Sequence, residues 1–505
     1  MPGTPVVAIV GGGASGALAA IHLLRDARAR AVPLEVVLID RHGRHGLGQA
    51  YSTTDPNHLL NTRAGKMSAL EDDPGHLVRW ARSQGLDVTD SAYLPRETYG
   101  RYLRDVLDAA EGRAGSGRTV RRVTGTASAL TTDPDPRVHL SDGPTMDPGP
   151  RVHLSDGRTT DPGSRVHLSD GRTMDPGPRV HLSDGRTVDA DAVVLAVGDR
   201  VPAAWPGLPE AGTPRHVADP WAPGALARIC DGTPVLVLGT GLTMVDVAVS
   251  VTRTCPGTVV YAVSRHGLLP RRHPNPVPPP VPVAIPDGPL GLAALLRAVR
   301  VAVRENGGDW AGVVDGLRPQ VQDVWTRLTP SDQRRFLGLA ARYWEVHRHR
   351  IPPATAGRVA ELQAAGRLRV VRGRVAGATE VPGGLRVRVD GDAPREIDVG
   401  WLVNATGPGA GGAFDPFLDR LVATGRARPD RLGLGLDAGP HGAVLDAAGR
   451  PSAKIFTLGP TLRGNLYETT AIPEIRAQAA ALAPRLIETL TPRPLTPSLP
   501  GPHNT

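Results

Sequence analysis

PVVAIVGGGASGALAAIHLL, Pro5 to Leu24, decides how the rest of the chain is read. Pro5 to Val10 is an unbroken apolar run, as expected of a strand buried on both faces of a parallel sheet. Gly11, Gly13 and Gly16 follow in the spacing G-x-G-x-x-G. The first glycine permits the tight turn, the second lets a pyrophosphate approach bare backbone, and the third lets helix pack on strand. A helix over Ala14 to Leu24 turns its free amides and its positive dipole end toward the phosphates. A second strand, LEVVLID, ends in Asp40, 24 residues beyond Gly16, where an acid can accept both hydroxyls of an adenosine ribose. Strand, loop, helix and acid together predict a dinucleotide site.

TPVLVLGTGLTMVDVAVSV, Thr233 to Val251, repeats the pattern: a strand to Leu238, then Gly239 and Gly241, then a helix. Met244 stands where the third glycine would be, so helix and strand should sit slightly farther apart. The next strand, TVVYAVSR, ends in Ser264 and Arg265 where the first site has Asp40. Arginine pairs with a 2′-phosphate and serine hydrogen-bonds it, whereas an acid repels it, which favours NADPH (NADP) over NADH. The competing reading is a surface arginine after a strand.

Each loop is followed by matching elements. RRVTGTASAL and VDADAVVLAVGD follow the first; LRVVRGRVAGATE, LRVRVDGDA and EIDVGWLVNATGP follow the second. Both sets read as a short hairpin with a DG turn, then an apolar strand ending in A-V-G (Ala196 to Gly198) or A-T-G (Ala405 to Gly407). Before the first such strand, RVHLSDG occurs four times in 14-residue units, from Arg137, Arg151, Arg165 and Arg179. One copy completes the hairpin, and the Arg179 copy supplies it, with Val180 and Leu182 facing a neighbour and Arg179 and His181 facing water. The other three read as tandem duplication inside a surface loop. His139, His153, His167 and His181 recur without a second ligand type, so no metal site is expected.

The bulk numbers exclude other classes. The chain has 505 residues, 40% apolar and 21% charged, enough for more than one full core. Net charge is +8, but the arginines are scattered without aromatic interleaving, which argues against nucleic-acid binding. Cys230 and Cys255 form no C-x-x-C, which excludes a redox dithiol of that type and predicts two reduced thiols. No apolar run approaches the ~20 residues that span a bilayer. The first glycine loop leaves no room for a leader, so a cytoplasmic, non-membrane protein is expected.

In the order of these motifs the chain resembles two-dinucleotide-domain flavoproteins, and among them the class B flavin-dependent monooxygenases, in their flavin-containing, N-hydroxylating and Baeyer–Villiger forms. The stretches that carry the resemblance are GLGQAYSTTDPNHLLNTRAGKMSALEDDPGHLVRWA, GTGLTMVD, SRHGLLPRRH, WEVHRHRIPP and TLGPTLRGNLYETTAIPEIRAQA. It implies an α/β fold of two Rossmann-like domains, with the NAD(P) domain inserted in the FAD domain. The FAD parts are expected over residues 1–200, with the repeats at 137–192 as a hairpin extension, and over 401–505. The NAD(P) domain is expected over 201–400.

The resemblance also implies site residues. FAD contacts would come from Gly11, Gly13, Ala14, Ser15, Gly16, Asp40, Arg41, Gln49, Met67, Val123, Ala196, Gly198, Gly459 and Pro460, and Gly407 would be a further cofactor contact. NADPH contacts would come from Gly239, Gly241, Leu242, Thr243, Ser264 and Arg265. Asn61 matches the asparagine over the reactive flavin edge, where a neutral donor suits a C4a-(hydro)peroxide; alternatively it caps a turn after Leu60. GTPRHVADPWAP resembles the class B fingerprint through His216 and Trp221. Glu210 replaces its leading aromatic and one extra residue separates the pair, which argues against the Baeyer–Villiger subtype and makes His216 a hinge residue. Pro460 follows Gly459 where many relatives have Asp, so the ribityl phosphate contact must come from elsewhere.

PNPVPPPVPVAIP, Pro274 to Pro286, is a stiff connector into a helix-rich insertion at about 287–350. Its last helix is expected to be capped by Ser331 and Asp332. Arg348 and Arg350 either meet a substrate carboxylate or cofactor phosphate, or complement the helix dipole. Together these features point to an oxidoreductase that takes hydride from NADPH and uses O2 to oxygenate a small molecule, such as an amine or amino acid. A flavin reductase without oxygenation and a non-catalytic flavin-binding interaction protein are the alternatives.

Overall fold

The apolar runs pair into two sheets, one wholly parallel and one parallel except for a single antiparallel edge strand. The computed structural model describes residues 3–132, 177–200, 207, 214–407 and 415–491. The chain opens with β1 (Val6–Val10), α1 (Ala14–Ala29), β2 (Leu34–Asp40), α2 (His76–Ser83), α3 (Arg96–Ala114) and β3 (Arg118–Thr124). Then come β4 (Ala127–Thr131), β5 (Arg179–Leu182), β6 (Thr187–Asp189) and β7 (Ala192–Leu195). The middle run contains β8 (His216–Val217), β9 (Val235–Leu238), α4 (Leu242–Thr254) and β10 (Val260–Ser264). Five helices follow: α5 (Leu292–Glu305), α6 (Trp310–Leu317), α7 (Val321–Arg327), α8 (Pro330–Leu339) and α9 (Ala341–Arg348). Then come α10 (Pro353–Ala364), β11 (Leu368–Arg372), β12 (Arg374–Val381), β13 (Gly384–Asp390), β14 (Arg395–Val399) and β15 (Trp401–Asn404). The chain closes with α11 (Pro416–Ala423), β16 (Ala443–Leu445), β17 (Pro451–Thr457), α12 (Arg463–Leu466) and α13 (Ile472–Leu490).

The first sheet has six strands in the order β16-β17-β7-β1-β2-β3, and the second has five, β11-β10-β9-β15-β8. β1 lies parallel between β2 and β7, with Val7 beside Val36 and Ala192. β9 lies in the same way between β10 and β15, with Leu236 beside Tyr261 and Leu402. All strands of the second sheet lie in sequence between β7 and β16. This is the two-sheet α/β architecture that the glycine motifs predict.

The expected hairpins are three-stranded antiparallel sheets, β4-β5-β6 and β12-β13-β14. Val180 (0% exposed) and Leu182 (4%) turn inward while Arg179 turns to water, as the alternation requires. His181 is half-buried against the Thr131 hydroxyl at 3.0 Å, not fully solvated as expected. The copies from Arg137, Arg151 and Arg165, with His139, His153 and His167, lie outside the described residues, as does Glu210.

The insertion is more broken than its periodicity predicts. Arg318 to Gln320 tighten into a 3₁₀ turn between α6 and α7, and Ala340 divides α8 from α9. The cap of α8 is Thr329, whose hydroxyl accepts from the Asp332 amide at 3.1 Å. Pro330, after Thr329, takes the first helical position, so Ser331 and Asp332 sit inside the helix. Among the described residues no helix is long and apolar enough to cross a membrane.

The repeat deletion depends on one glycine. A Cβ at Gly177 would lie 2.2 Å from the Ala190 carbonyl oxygen. Deleting residues 135–176 keeps Gly177 ahead of β5, and the thermal midpoint should stay within about 2 °C of wild type. Deleting 137–178 puts Asp135 in that place and should lower the midpoint by about 4 °C or more. Equal midpoints for the two deletions, measured by calorimetry, would contradict this reading.

Candidate cofactor and active site

The first loop is built by close backbone approach. Gly11 has φ +110°, and a Cβ there would meet the Ala196 carbonyl oxygen at 2.2 Å. A Cβ on Gly16 would lie 2.0 Å from the Gly11 carbonyl oxygen. Gly13 caps α1 with no side chain on its amides and no acid in the first turn, so the positive helix end is left for an anion. Asp40 ends β2 half-buried; its Oδ1 accepts from the amides of His42 and Arg44, both at 2.9 Å. Only part of the carboxylate is used in this way, and Oδ2 faces the Gly12 side of the loop.

The C-terminal segment returns to this loop. Gly459 has φ +75°, and a Cβ on it would lie 2.8 Å from the Ser15 hydroxyl. Its amide donates to the Gln478 side chain at 2.8 Å, which fixes it to α13. Pro460 lies in the 3₁₀ turn Gly459–Leu462. Gly198 has φ +82°, with open space where a Cβ would stand.

The second loop matches the first. Gly239 has φ +100°, and its Cβ would meet the Ala405 carbonyl oxygen at 2.6 Å. Gly241 caps α4 with no side-chain cap and no first-turn acid, and open space surrounds its missing Cβ. Leu242 and Thr243 open the helix, and Met244 is fully buried in it. Gly407 has φ +67° and likewise faces open space. The Ser264 hydroxyl lies 2.9 Å from that of Thr240 and accepts from the Gly267 amide at 3.1 Å. Arg265 is exposed and forms no ion pair among the described residues.

A further arginine stands at this loop. Arg342, from α9, donates to the Thr240 hydroxyl and the Leu268 carbonyl, both at 3.0 Å. Nothing local marks it, because it comes from about a hundred residues beyond the loop and belongs to the insertion.

Asn61 lies where the two halves meet. Its backbone carbonyl accepts from Nε2 of His273 at 2.9 Å, and Arg63 reaches the Pro274 carbonyl at 3.4 Å. A carbonyl can only accept, so His273 carries its proton on Nε2. Burial pushes the His273 imidazole down to about 4, with the charges of Arg350 and Arg63 adding to it. Burial and the guanidinium charges of Arg318, Arg63 and Arg348 hold the Lys66 ammonium below its ordinary value, against the opposing charge of Asp315.

Other expected residues are committed within the protein. Arg41 pairs with Asp415 at 3.2 Å, Gln49 donates to Asp219 at 3.2 Å, and Met67 and Val123 are buried in the apolar cores. Arg348 pairs with Glu468 at 3.0 Å and Arg350 with Asp315 at 3.0 Å. Both arginines are buried, so of the two readings the structure favours internal pairing over an open anion site. His216 is buried in β8. Trp221 packs edge-on against His58, with the Arg96 guanidinium 5.4 Å from its ring centre.

Residues 8–159 match the family model described as FAD-NAD(P)-binding. No curated protein matches the chain. Among solved structures, L-lysine 6-monooxygenase from Pseudomonas syringae aligns with a TM-score of 0.58 at 14% identity, covering 97% of this chain and 100% of that one. The ornithine N-hydroxylase of Kutzneria sp. 744, solved with reduced FAD, NADP+ and L-ornithine, aligns at 0.57 and 16%, with the same coverage. An FAD-bound cadaverine monooxygenase from Erwinia amylovora gives 0.57 and 13%, covering 99% of each chain. At such identities the shared property is the fold. It is the fold of N-hydroxylating flavin monooxygenases, as the sequence resemblance implies.

The buried histidines generate a pH dependence. His273 is lowered to about 4 and His349, by burial and then by Arg348, to about 3. An unfolded chain binds protons at these sites below pH ~6.5, and the folded one does not until the lowered values are reached. Stability should therefore be complete above pH ~6.5 and should fall as pH drops toward 4. Denaturant midpoints at pH 7.5 and 5.0 measure this, and His273→Gln should shrink the difference. An unchanged difference in that variant would remove His273 from the account.

Proposed function

We propose that the protein is an FAD-dependent, NADPH-using monooxygenase of a small molecule, with N-hydroxylation of an amine or amino acid as its chemistry. The observation that carries this reading is the pair of matched glycine-loop helices, neither with a side-chain cap, on two largely parallel sheets, with the Asn61–His273 contact at their junction. We assign the FAD parts to 1–200 and to the chain from 415 on, and the NAD(P) part to 201–407, because β15 (Trp401–Asn404), expected beyond the boundary at 400, lies within the second sheet. The structures sharing this fold are named for ornithine, lysine and cadaverine, which supports an amine substrate.

When bound, FAD supplies hydride acceptance and O2 activation; the chain supplies position and charge. The amides at the start of α1 bind the FAD pyrophosphate, and Asp40 accepts the ribose hydroxyls. The amides of Leu242 and Thr243 bind the NADPH pyrophosphate. Arg265 and Arg342 hold the 2′-phosphate by charge-assisted hydrogen bonds. Asn61 presents an uncharged amide donor at the reacting edge, held in place by the His273 contact to its own carbonyl. The small molecule and O2 enter between the two halves.

Anaerobic titration of the FAD-loaded protein with NADPH and with NADH tests the reading. NADPH should reduce the flavin at lower concentration, and Arg265→Ala with Arg342→Ala should raise its KM at least about tenfold, the scale of a lost charged hydrogen bond. Readmitting O2 with ornithine, lysine or cadaverine should yield a product heavier by one oxygen atom. Reduction without any oxygenated product would select the reductase reading. A protein that takes up no flavin would end both.

A further inference from the structure

Helix α4 carries Asp246, Ser250 and Arg253 among mostly apolar residues and threonines, spaced four and three residues apart and so on one face. Asp246 is 7% exposed and Ser250 is 6% exposed. Buried polar groups of this kind are retained with partners, and here the partners come from the N-terminal half. Ser250 donates from Oγ to Oδ2 of Asp55 at 2.6 Å and lies 2.8 Å from Nε2 of His58. Arg253 reaches Asp55 at 3.3 Å. Arg96, the first residue of α3, pairs with Asp246 at 2.8 Å and donates to the Leu59 carbonyl at 3.3 Å.

Ser250, His58 and Asp55 resemble a hydrolytic triad, but the donor directions are wrong for one. Ser250 spends its proton on Asp55, so His58 must donate from Nε2 and cannot act as base toward that hydroxyl. His58 then has its Nδ1 2.7 Å from the Thr53 hydroxyl. Burial would raise the Asp55 carboxyl, but hydrogen bonds from Ser250 and Asn57 and the His58 charge outweigh it and hold the group below the usual carboxylate range.

Such a network has directional bonds and no reactive group, so it can fix geometry but not transform a ligand. It grips, from Asp246 to Arg253, the helix that Gly241 caps, and it holds the chain three residues before Asn61. We infer that this network is a clamp that sets the second glycine loop against the Asn61 loop, with Asp246 and Ser250 as positioning residues for hydride delivery. The inference rests on the function proposed above.

The test uses the full chain loaded with FAD. A buried ion pair replaced by apolar groups of similar volume commonly leaves stability intact, so Arg96→Met with Asp246→Leu separates positioning from support. The clamp predicts an unchanged FAD content and a KM for NADPH within about threefold, with flavin reduction at saturating NADPH slowed by about 100-fold, the scale of a misplacement near 1 Å. Ser250→Ala should slow it by about tenfold. Amide hydrogen exchange of residues 53–61 and 242–254 should quicken in both variants, a readout that needs no turnover. Reduction within twofold of wild type in the double variant would overturn the inference, as would unchanged exchange in both variants. If the double variant loses FAD, Ser250→Ala alone decides by the same two measurements. If wild type itself takes up no FAD, the proposed function fails, and exchange on the apoprotein still judges the clamp.

Discussion

A carbonyl oxygen stands where a side chain would begin at the first glycine of each loop. At Gly11 it belongs to Ala196, the residue after β7, and at Gly239 to Ala405, the residue after β15. The strand that closes each glycine loop is thus the one ending in A-V-G or A-T-G, and the two motifs are halves of one packing contact. Because Gly11 and Gly239 have φ of +110° and +100°, any other residue would suffer both a clash and backbone strain. With that contact made, the chain turns from strand into helix with its amides pointing outward, and the third residue of each motif, Gly198 or Gly407, faces open space. The departure is also informative. Gly16 would touch the Gly11 carbonyl with any Cβ, whereas the second loop accommodates a fully buried Met244.

The remaining segments are arranged around these loops. Gly459 comes against Ser15, and α13 then packs along α1 through a shared apolar core that includes Leu18, Ile21, Ile475 and Leu482. Glu474, in the first turn of α13, is held by Arg318 at 2.6 Å, and Glu468 is held by Arg348 and by Trp344 Nε1, both at 3.0 Å. The insertion therefore touches the C-terminal segment through α9 and the turn after α6, while Arg342 of the same α9 touches the second glycine loop. A single helix thus touches both halves, which gives the insertion a structural role.

Much of this was legible because it is local. Gly11 to Gly16, Asp40, Gly239, Gly241 and the apolar strands state their roles within a few residues, and periodicity of two or of 3.6 does the rest. The break at Ala340 and the cap at Thr329 escaped the pattern because a continuous amphipathic count ignores where the axis must turn. His273 and Arg342 escaped for a different reason: each acts on a residue 74 to 212 positions away, and nothing in its own neighbourhood marks that. The stripe Asp246–Ser250–Arg253 lies in a mostly apolar helix, yet its partners at Asp55, His58 and Arg96 could only be found in three dimensions. Arg348 and Arg350 looked like ligand groups because a basic helix end reads the same whether it faces water or buried carboxylates.

The two halves are joined in a way that differs from how each is held together. Four of the apolar clusters of the described residues separate, those around the first sheet drawing on residues 7–196 and 417–487 and those around the second on residues 217–405, while a fifth packs the insertion helices against Tyr467 of the C-terminal segment. Hydrophobic contact has no preferred direction and tolerates sliding. Hydrogen bonds and ion pairs weaken steeply once their angles are lost. Between the glycine-loop regions themselves the contacts are largely of the second kind: Gln49 to Asp219, His273 to Asn61, Arg63 to Pro274, Ser250 to Asp55 and Arg96 to Asp246. A junction of that composition adds little net stability, since each buried charge must first be desolvated. Its effect is to favour one relative placement of the two glycine loops, and the proposed hydride transfer would depend on that placement more than on the tightness of either site.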